Sequence, residues 1–198
     1  MHYQDKETLR SRIAGTVLAV GLTLGSANVA QARLEGVNNP DLLPAEFTTV
    51  IDVSGVLTSG EQVRMAERIT NLEKDTGIKL RVLMQNYPNT PGLAIREYWG
   101  VDDDSVIFVA DPNFGNILNF NIGSNVDLAV PPNFWTRLSG RFGTKKYWTE
   151  NGQDVAVVNT VAAIDNCLRE PIGVGQCTNI QGVLGAEETP KFSLFGKK

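Results

Sequence analysis

The sequence contains only one histidine, His2, which lies outside every segment that has the pattern of a folded element. Because histidine-based zinc sites, Ser-His triads and Cys-His dyads all need that side chain, its scarcity excludes these three kinds of site. The glycine-rich phosphate loops GxGxxG and GxxxxGK are also absent. Any chemistry must therefore rest on carboxylates, hydroxyls, amides or bound ions.

Positive charge is also scarce. The chain has 18 Lys and Arg against 22 Asp and Glu, a net charge of −4 at pH 7, and no face rich in Lys or Arg. Such a chain is poorly suited to phosphate backbones, so nucleic acid is excluded as its main partner. With 42% hydrophobic and 20% charged residues over 198 positions, the composition is typical of one globular domain with short extensions.

The N-terminal segment has the pattern of an export signal. Two arginines precede an apolar run, Ile13–Leu24, and the small residues that follow end in Ala30-Gln31-Ala32. A buried helix or a membrane anchor is the alternative, but about twelve apolar residues with interrupting glycines are too few to span a bilayer. We predict cleavage between Ala32 and Arg33. Residues 1–32 are then the signal peptide, residues 33–177 the folded domain and residues 178–198 a flexible C-terminal tail.

Apolar periodicity predicts an α/β domain with a mixed, mostly parallel sheet, a β-hairpin and flanking helices. Ser105–Ala110 is a nearly unbroken apolar run, typical of a central strand buried on both faces. Ile117–Ile122 alternates apolar and polar residues after a turn, so it forms the half-exposed second strand of the hairpin. The other predicted elements are strands Phe47–Ile51 and Ile78–Gln85, and helices from Thr58 to Gly77, over Leu93–Trp99, after Pro131-Pro132 and over Gln153–Leu168.

Carboxylates cluster at both ends of the predicted sheet. If the first three strands are parallel, Asp52, Asn86-Tyr87 and Asp111–Asn113 share the edge at which open sheets bind ligands. The opposite edge carries Asp102–Asp104 and Asp127, where like charges are costly without a cation. Oxygen ligands of this kind suit calcium or magnesium. The alternative is that these residues form only strand-end turns and helix caps.

The only two cysteines, Cys167 and Cys177, are separated by a turn-rich loop that can bring its ends together. A disulfide is favoured, because export leads to an oxidising compartment and the closed loop would remove about 2–3 kcal/mol of chain entropy from the unfolded state. Two buried or free thiols are the alternative. A metal site is less favoured, since no second ligand cluster accompanies the pair.

Five segments of the chain match a known family in residues and in order: Thr49–Thr58, Leu72–Gly77, Leu80–Pro88, Thr90–Ile95 and Val106–Pro112. On these segments the chain resembles TPM-domain proteins over roughly Pro44–Gln176. That family includes photosystem II repair proteins of the thylakoid lumen and was once described as a phosphatase family. The similarity, including the Cys167–Pro171 segment and the second cysteine, is greatest to the fifteen-kilodalton class of plant and algal lumenal members.

The resemblance implies a TPM-type domain in the chloroplast thylakoid lumen, which after processing is not an integral membrane protein. It makes Ile13–Ala32 a thylakoid-transfer signal. It also implies a divalent cation, calcium or magnesium, bound by Asp52 together with Asp103 or Asp104. Asp111, on the same predicted edge as Asp52, is a further candidate ligand.

Two departures from the family pattern bear on activity. Many members have Asp-Asn-Gly before the third strand, where this chain has Asp103-Asp104-Ser105. Many have a Gly-x-Gly-Leu-Glu run after the hairpin, where this chain has Ile122-Gly123-Ser124-Asn125-Val126-Asp127. Both differences weaken the transfer of a phosphatase activity to this chain, which would need a metal-activated water.

These observations lead to three hypotheses. The first is a non-enzymatic accessory factor for photosystem assembly, repair or maintenance, which binds photosystem or assembly-factor subunits at the lumenal membrane face. The second is a metal-dependent acid phosphatase of the lumen that uses Asp52 and neighbouring carboxylates. The third is a structural module that binds an ion.

Overall fold

The computed structural model describes residues 38–180 and residue 182. The predicted signal peptide, its cleavage site between Ala32 and Arg33, and most of the predicted tail lie outside these residues. Across the described part of the chain, no helix is both long enough and apolar enough to cross a membrane. The strands are β1 Val50–Asp52, β2 Lys79–Met84, β3 Ser105–Ala110 and β4 Leu118–Ile122. The helices are α1 Ser59–Thr76, α2 Ala94–Trp99, α3 Ser124–Ala129, α4 Phe134–Phe142, α5 Lys145–Asn151 and α6 Gln153–Arg169.

The sheet has the order β1-β2-β3-β4. The first three strands are parallel, and β4 pairs antiparallel with β3 as the second strand of a hairpin. Because α1 and α2 connect parallel neighbours, each returns the chain to the same end of the sheet. The predicted α/β class, with its mostly parallel sheet and β-hairpin, is confirmed.

Helix α1 begins and ends where local chemistry predicts. The Thr58 side chain accepts a hydrogen bond from the Glu61 amide, and the Glu61 carboxylate accepts one from the Thr58 amide, so the two form a capping box. Gly77 ends the helix with a φ of 77°, a left-handed conformation that favours glycine. Between these ends, Met65, Ile69 and Leu72 form the buried face of the helix.

Apolar side chains cover both faces of the sheet. On one face, Leu80, Val82, Met84, Val106 and Phe108 contribute to the larger core, with residues of α1, α4 and α6. On the other face, Ile51, Leu83 and Ile107 pack with Ile95 and Trp99 of α2. Strand β3 is therefore buried on both faces, as its apolar run predicts.

Strand β2 differs from the alternating pattern that its sequence suggests, because its intervening residues are buried too. Leu83 lies in the smaller core, and the Arg81 side chain is 4% exposed. The Arg81 guanidinium donates to a Glu73 carboxylate oxygen at 2.8 Å and lies 5.6 Å from the centre of the Phe47 ring. The pairing with Glu73 and the aromatic ring makes this buried charge tolerable.

Three elements differ from the sequence prediction. Strand β1 is shorter than the predicted Phe47–Ile51, because the Thr48 side chain accepts a hydrogen bond from the Val50 amide and the Thr48 amide donates to the Tyr98 hydroxyl. These side-chain bonds replace the strand ladder. Helices α3 and α5 were not predicted, since both are short and α3 has no side-chain cap.

The C-terminal part of the described chain is attached to the domain by a disulfide between Cys167, in α6, and Cys177. Arg137 of α4 donates to the backbone carbonyls of Cys177 and Thr178 at 3.1 and 2.7 Å. Ile180 is buried in the larger core. Packing against the larger core therefore includes Ile180, and the domain boundary at Cys177 stays a prediction.

Opening this disulfide should destabilise the domain. The cysteines are 10 residues apart, so we expect Cys167→Ala/Cys177→Ala to lower the free energy of unfolding by about 2–3 kcal/mol, because the unfolded chain gains freedom. Urea denaturation of both proteins, with and without reductant, measures the difference. Reductant should destabilise the wild type and leave the double variant unchanged. Equal stability of the two proteins without reductant would contradict the expectation.

Candidate functional site at the carboxyl edge of the sheet

The carboxyl ends of the three parallel strands lie at one edge, because Asp52, Met84 and Ala110 are in register. The loops that follow these strands therefore meet at that edge. They are residues 53–58, residues 85–93 and the hairpin turn at residues 111–117. Open sheets of this kind bind ligands at such an edge.

Asp111 joins two of these loops. Its side chain is fully buried, at 0% exposure. One carboxylate oxygen accepts hydrogen bonds from the Gln85 side chain at 2.9 Å and the Tyr87 amide at 3.3 Å. The other accepts from the Asn113 amide and side chain at 2.9 and 3.1 Å. The first oxygen therefore joins the hairpin turn to the loop that follows β2, and the second stabilises the turn itself.

Asn113 adds a second connection between the same loops. Its side-chain amide donates to the Asn86 side-chain oxygen at 2.6 Å and to the Tyr87 carbonyl at 3.2 Å. Beside this junction, Tyr87 and Phe114 are 49% and 52% exposed. We call these two side chains the aromatic rim. Their backbones are held in place by buried or bridging polar groups, while their rings remain accessible.

Asp52 organises the third loop, between β1 and α1. Its carboxylate accepts hydrogen bonds from the Ser54 hydroxyl at 2.7 Å, the Gly55 amide at 2.8 Å and the Leu57 amide at 2.7 Å. Gly55 has a φ of 68°, which favours glycine at this turn. Asp52 thus acts as a strand-end turn residue that directs the chain into the capping box at Thr58.

The opposite edge of the sheet carries the other acidic group. Asp102 pairs with Lys79 and also accepts from the Ser105 hydroxyl at 2.7 Å. The hydrogen bond from Lys79, followed by that from Ser105, lowers the pKa of Asp102 to about 2, and the same pair raises the pKa of Lys79. The Asp104 side chain accepts from the Asn125 side chain at 2.8 Å, which attaches α3 to this edge.

The four aspartates predicted as metal ligands are not brought together. Asp52 and Asp111 lie at the carboxyl edge, whereas Asp103 and Asp104 precede β3 at the other end. Six residues of β3 separate the two ends, a distance of about 17 Å at 3.3 Å per step. Within residues 38–180, no group of three or more His, Cys, Asp or Glu side chains could hold an ion.

The hydrogen bonds of the aspartate side chains also argue against a shared cation. Each carboxylate oxygen of Asp52 and Asp111 already accepts at least one hydrogen bond from a residue in the loops at the carboxyl edge. A cation shared by Asp52 with Asp103 or Asp104, which the resemblance implies, does not fit this arrangement. Calcium or magnesium binding by this chain stays a prediction, and we assign no chemical step to it.

The sequence placed Asn86-Tyr87 and Asp111–Asn113 at one edge, and the structure brings these residues into contact. It did not identify Gln85 as a partner of Asp111, because that contact joins residues that are 26 positions apart. The sequence analysis also did not identify Phe114 as a candidate functional residue. An aromatic residue within the turn Pro112–Gly115, where no strand or helix would bury it, is the signal that could have found it.

The TPM domain family matches residues 50–167, more than half of the chain. The chain belongs to the TPM domain family. It is 55% identical over 171 residues, 86% of this chain and 76% of the other, to the Arabidopsis thaliana protein named thylakoid lumenal 15.0 kDa protein 2, chloroplastic. The predicted family and the predicted location in the chloroplast thylakoid lumen are both confirmed by this similarity.

The fold of this TPM domain is similar to that of a bacterial protein domain of known structure. It is the solution NMR structure of the N-terminal domain of a protein from P. gingivalis, with a TM-score of 0.53 and 16% sequence identity. The match covers 65% of this chain and 90% of the other. At this identity the similarity concerns the fold alone.

Removing the Asp111 carboxylate should loosen the edge. In Asp111→Ala the buried Gln85 amide and the amides of Tyr87 and Asn113 lose their acceptor, so we expect the free energy of unfolding to fall by about 2–4 kcal/mol. Urea denaturation measures this loss. Hydrogen exchange should also accelerate at the Tyr87 and Asn113 amides. The matched control Asp103→Ala, at an exposed carboxylate, should change stability by less than about 0.5 kcal/mol. Similar losses in both variants would refute the role of Asp111.

The Lys79–Asp102 pair predicts a pH dependence. Because the pKa of Asp102 is lowered to about 2 in the folded state, from an ordinary value of 3.8, its stabilising effect is complete above pH 3.8 and is lost as pH falls through about 2. Lys79→Met should raise the pKa of Asp102, as measured by NMR titration of its carboxyl carbon. Lys74→Met, at an exposed lysine of α1, is the control and should leave it unchanged. An unaltered titration in Lys79→Met would be the contrary result.

Proposed function

We propose that this lumenal TPM-domain protein is a non-enzymatic accessory factor in photosystem assembly, repair or maintenance, and that it acts by binding. Its partner is a photosystem or assembly-factor subunit at the lumenal membrane face. The observation that carries this proposal is the aromatic rim of Tyr87 and Phe114, exposed at the carboxyl edge of the sheet. The similarity to a protein named for the thylakoid lumen supports the setting.

The rim has properties of a protein-binding surface. Aromatic side chains contribute much of the binding energy at interfaces, and a tyrosine offers both an apolar ring and a hydroxyl. The hydrogen bonds of Asp111 and Asn113 fix the backbone on both sides of the rim. A surface that is ordered before binding loses less conformational entropy when the partner arrives.

The charge pattern around the rim also favours a protein partner. No charged side chain occurs in residues 85–95 or in residues 112–117, although the chain as a whole carries a net charge of −4. Asp111, between these segments, is fully buried. Interface cores are depleted of charged residues in the same way. An uncharged patch with accessible rings is thus a suitable contact for a protein subunit.

The alternative, a metal-dependent acid phosphatase, is less well supported by the geometry. It would use Asp52 with carboxylates near the start of β3, but these lie at opposite ends of the sheet. The carboxylate of Asp52 also accepts three hydrogen bonds from its own loop. The binding proposal does not require these carboxylates to come together.

A pull-down from detergent-solubilised thylakoids tests the proposed function. The wild-type protein should recover a photosystem or assembly-factor subunit, and Tyr87→Ala/Phe114→Ala should recover at least about tenfold less, because the contact rings are lost. The matched control Val63→Ala/Leu128→Ala removes exposed apolar side chains of α1 and α3, which are 57% and 88% exposed. It should bind like the wild type.

Two results would contradict the proposal. One is recovery of no photosystem or assembly-factor subunit by the wild-type protein. The other is turnover of a phosphorylated peptide in the presence of calcium or magnesium that is lost in both Asp52→Ala and Asp104→Ala while the fold is retained. That second result would support the phosphatase alternative.

A further inference from the structure

The outer strand of the hairpin, β4, has a backbone edge that faces away from the sheet. The Gly123 amide donates to the Ser105 carbonyl and the Asp111 amide donates to the Ile117 carbonyl. In an antiparallel ladder, these bonds fix which residues point towards β3. Asn119 and Asn121 direct their backbone groups to β3, whereas those of Leu118, Phe120 and Ile122 point outward.

Most of these outward groups have no hydrogen-bond partner among the described residues. The Leu118 amide donates to the Asn116 side chain at 2.9 Å. The amides of Phe120 and Ile122, and the carbonyls of all three outward residues, form no hydrogen bond with any residue in the described ranges. After β4 the chain turns towards β3, since the Asn125 amide donates to the Asp103 carbonyl at 3.0 Å. This turn directs the chain away from the outer edge.

From Leu118 to Ile122, after the bridge between Asn116 and Thr144, the edge lacks several features that usually prevent strands from pairing with other chains. Such features include charged side chains, proline and bulges. Residues 112–126 contain no charged side chain, and β4 contains no proline. The ladder between β3 and β4 runs from Ala110↔Leu118 to Val106↔Ile122 without an inserted residue. The edge is therefore regular, uncharged and suited to pairing.

The sequence of β4 indicates what pairs with it. Leu118-Asn119-Phe120-Asn121-Ile122 has the same pattern in both directions about Phe120. We propose that β4 pairs antiparallel with β4 of a second copy of this chain, about a two-fold axis at Phe120. A symmetric interface of this kind needs a self-complementary surface, which this strand provides.

The pairing satisfies four of the five unpaired outward groups; the Ile122 carbonyl is the exception, because the Leu118 amide already donates to the Asn116 side chain. Each Phe120 amide donates to the Phe120 carbonyl of the other copy, and each Ile122 amide donates to the other Leu118 carbonyl. Asn119 then lies opposite Asn121 of the other copy on the exposed face, where both asparagines are accessible. On the core-facing side Leu118 lies opposite Ile122. The two sheets become one continuous sheet.

Two pairs of substitutions test this arrangement at the exposed asparagines. Asn119→Lys/Asn121→Lys places like charges directly opposite each other across the axis, whereas Asn119→Lys/Asn121→Glu places opposite charges there. Neither changes the core-facing residues. Sedimentation equilibrium of the full chain over a range of concentrations gives the dimer dissociation constant of each protein.

We expect the wild type to dimerise and the Lys/Lys variant to bind itself about tenfold more weakly or worse. The Lys/Glu variant should stay within about threefold of the wild type. In the wild type, hydrogen exchange at the Phe120 and Ile122 amides should slow as concentration rises. A wild type that is monomeric at every concentration would overturn the proposal. The proposal would also be overturned if β4 paired only with a different protein. Equal weakening in both variants would overturn the antiparallel register.

Discussion

The burial of β2 and β3 on both faces is the constraint on which the rest of the domain depends. Helices α1, α4 and α6 cover one face with the larger core, and α2 covers the other. Apart from Arg81 of β2, whose buried charge is paired with Glu73, both faces carry apolar side chains, so the exposed polar groups of the sheet lie at the two ends of its strands and on the outer strand β4. Each functional feature of the molecule lies in one of these places.

At the carboxyl edge, where sheets of this kind often bind ligands, a single buried carboxylate joins the loops. Asp111 accepts hydrogen bonds from two loops and makes one surface of them. A buried carboxylate is costly unless hydrogen bonds compensate for the lost water, and the bonds to Asp111 fix the loop positions. The aromatic rim therefore owes its geometry to a side chain that is itself inaccessible. A role in stabilising the loops accounts for Asp111 without an ion.

The two ends of the sheet and its outer edge present three different groups of residues. The carboxyl edge presents Tyr87 and Phe114, the other end attaches α3 through Asn125 and Asp104, and the edge of β4 leaves backbone groups unpaired within the described residues. Self-pairing through β4 would place two copies of the rim on one assembly. Two linked sites bind a partner that has two matching contacts more strongly than either site alone.

The sequence by itself determined the elements whose signals are local: the buried run of β3, the capping box and Gly77 of α1, and the parallel order of the strands. It did not reveal the short helices α3 and α5, because a helix of six or seven residues is stabilised by packing more than by its own composition. The predicted parallel strands already put Asp52 and Asp102–Asp104 at opposite edges. Only the tertiary structure paired Asp111 with Gln85 and left backbone groups at the edge of β4 without a partner among the described residues. Sequence periodicity indicates which face of a strand or helix is apolar. The distances between loops depend on contacts between residues far apart in the chain, and so does the position of the outermost strand.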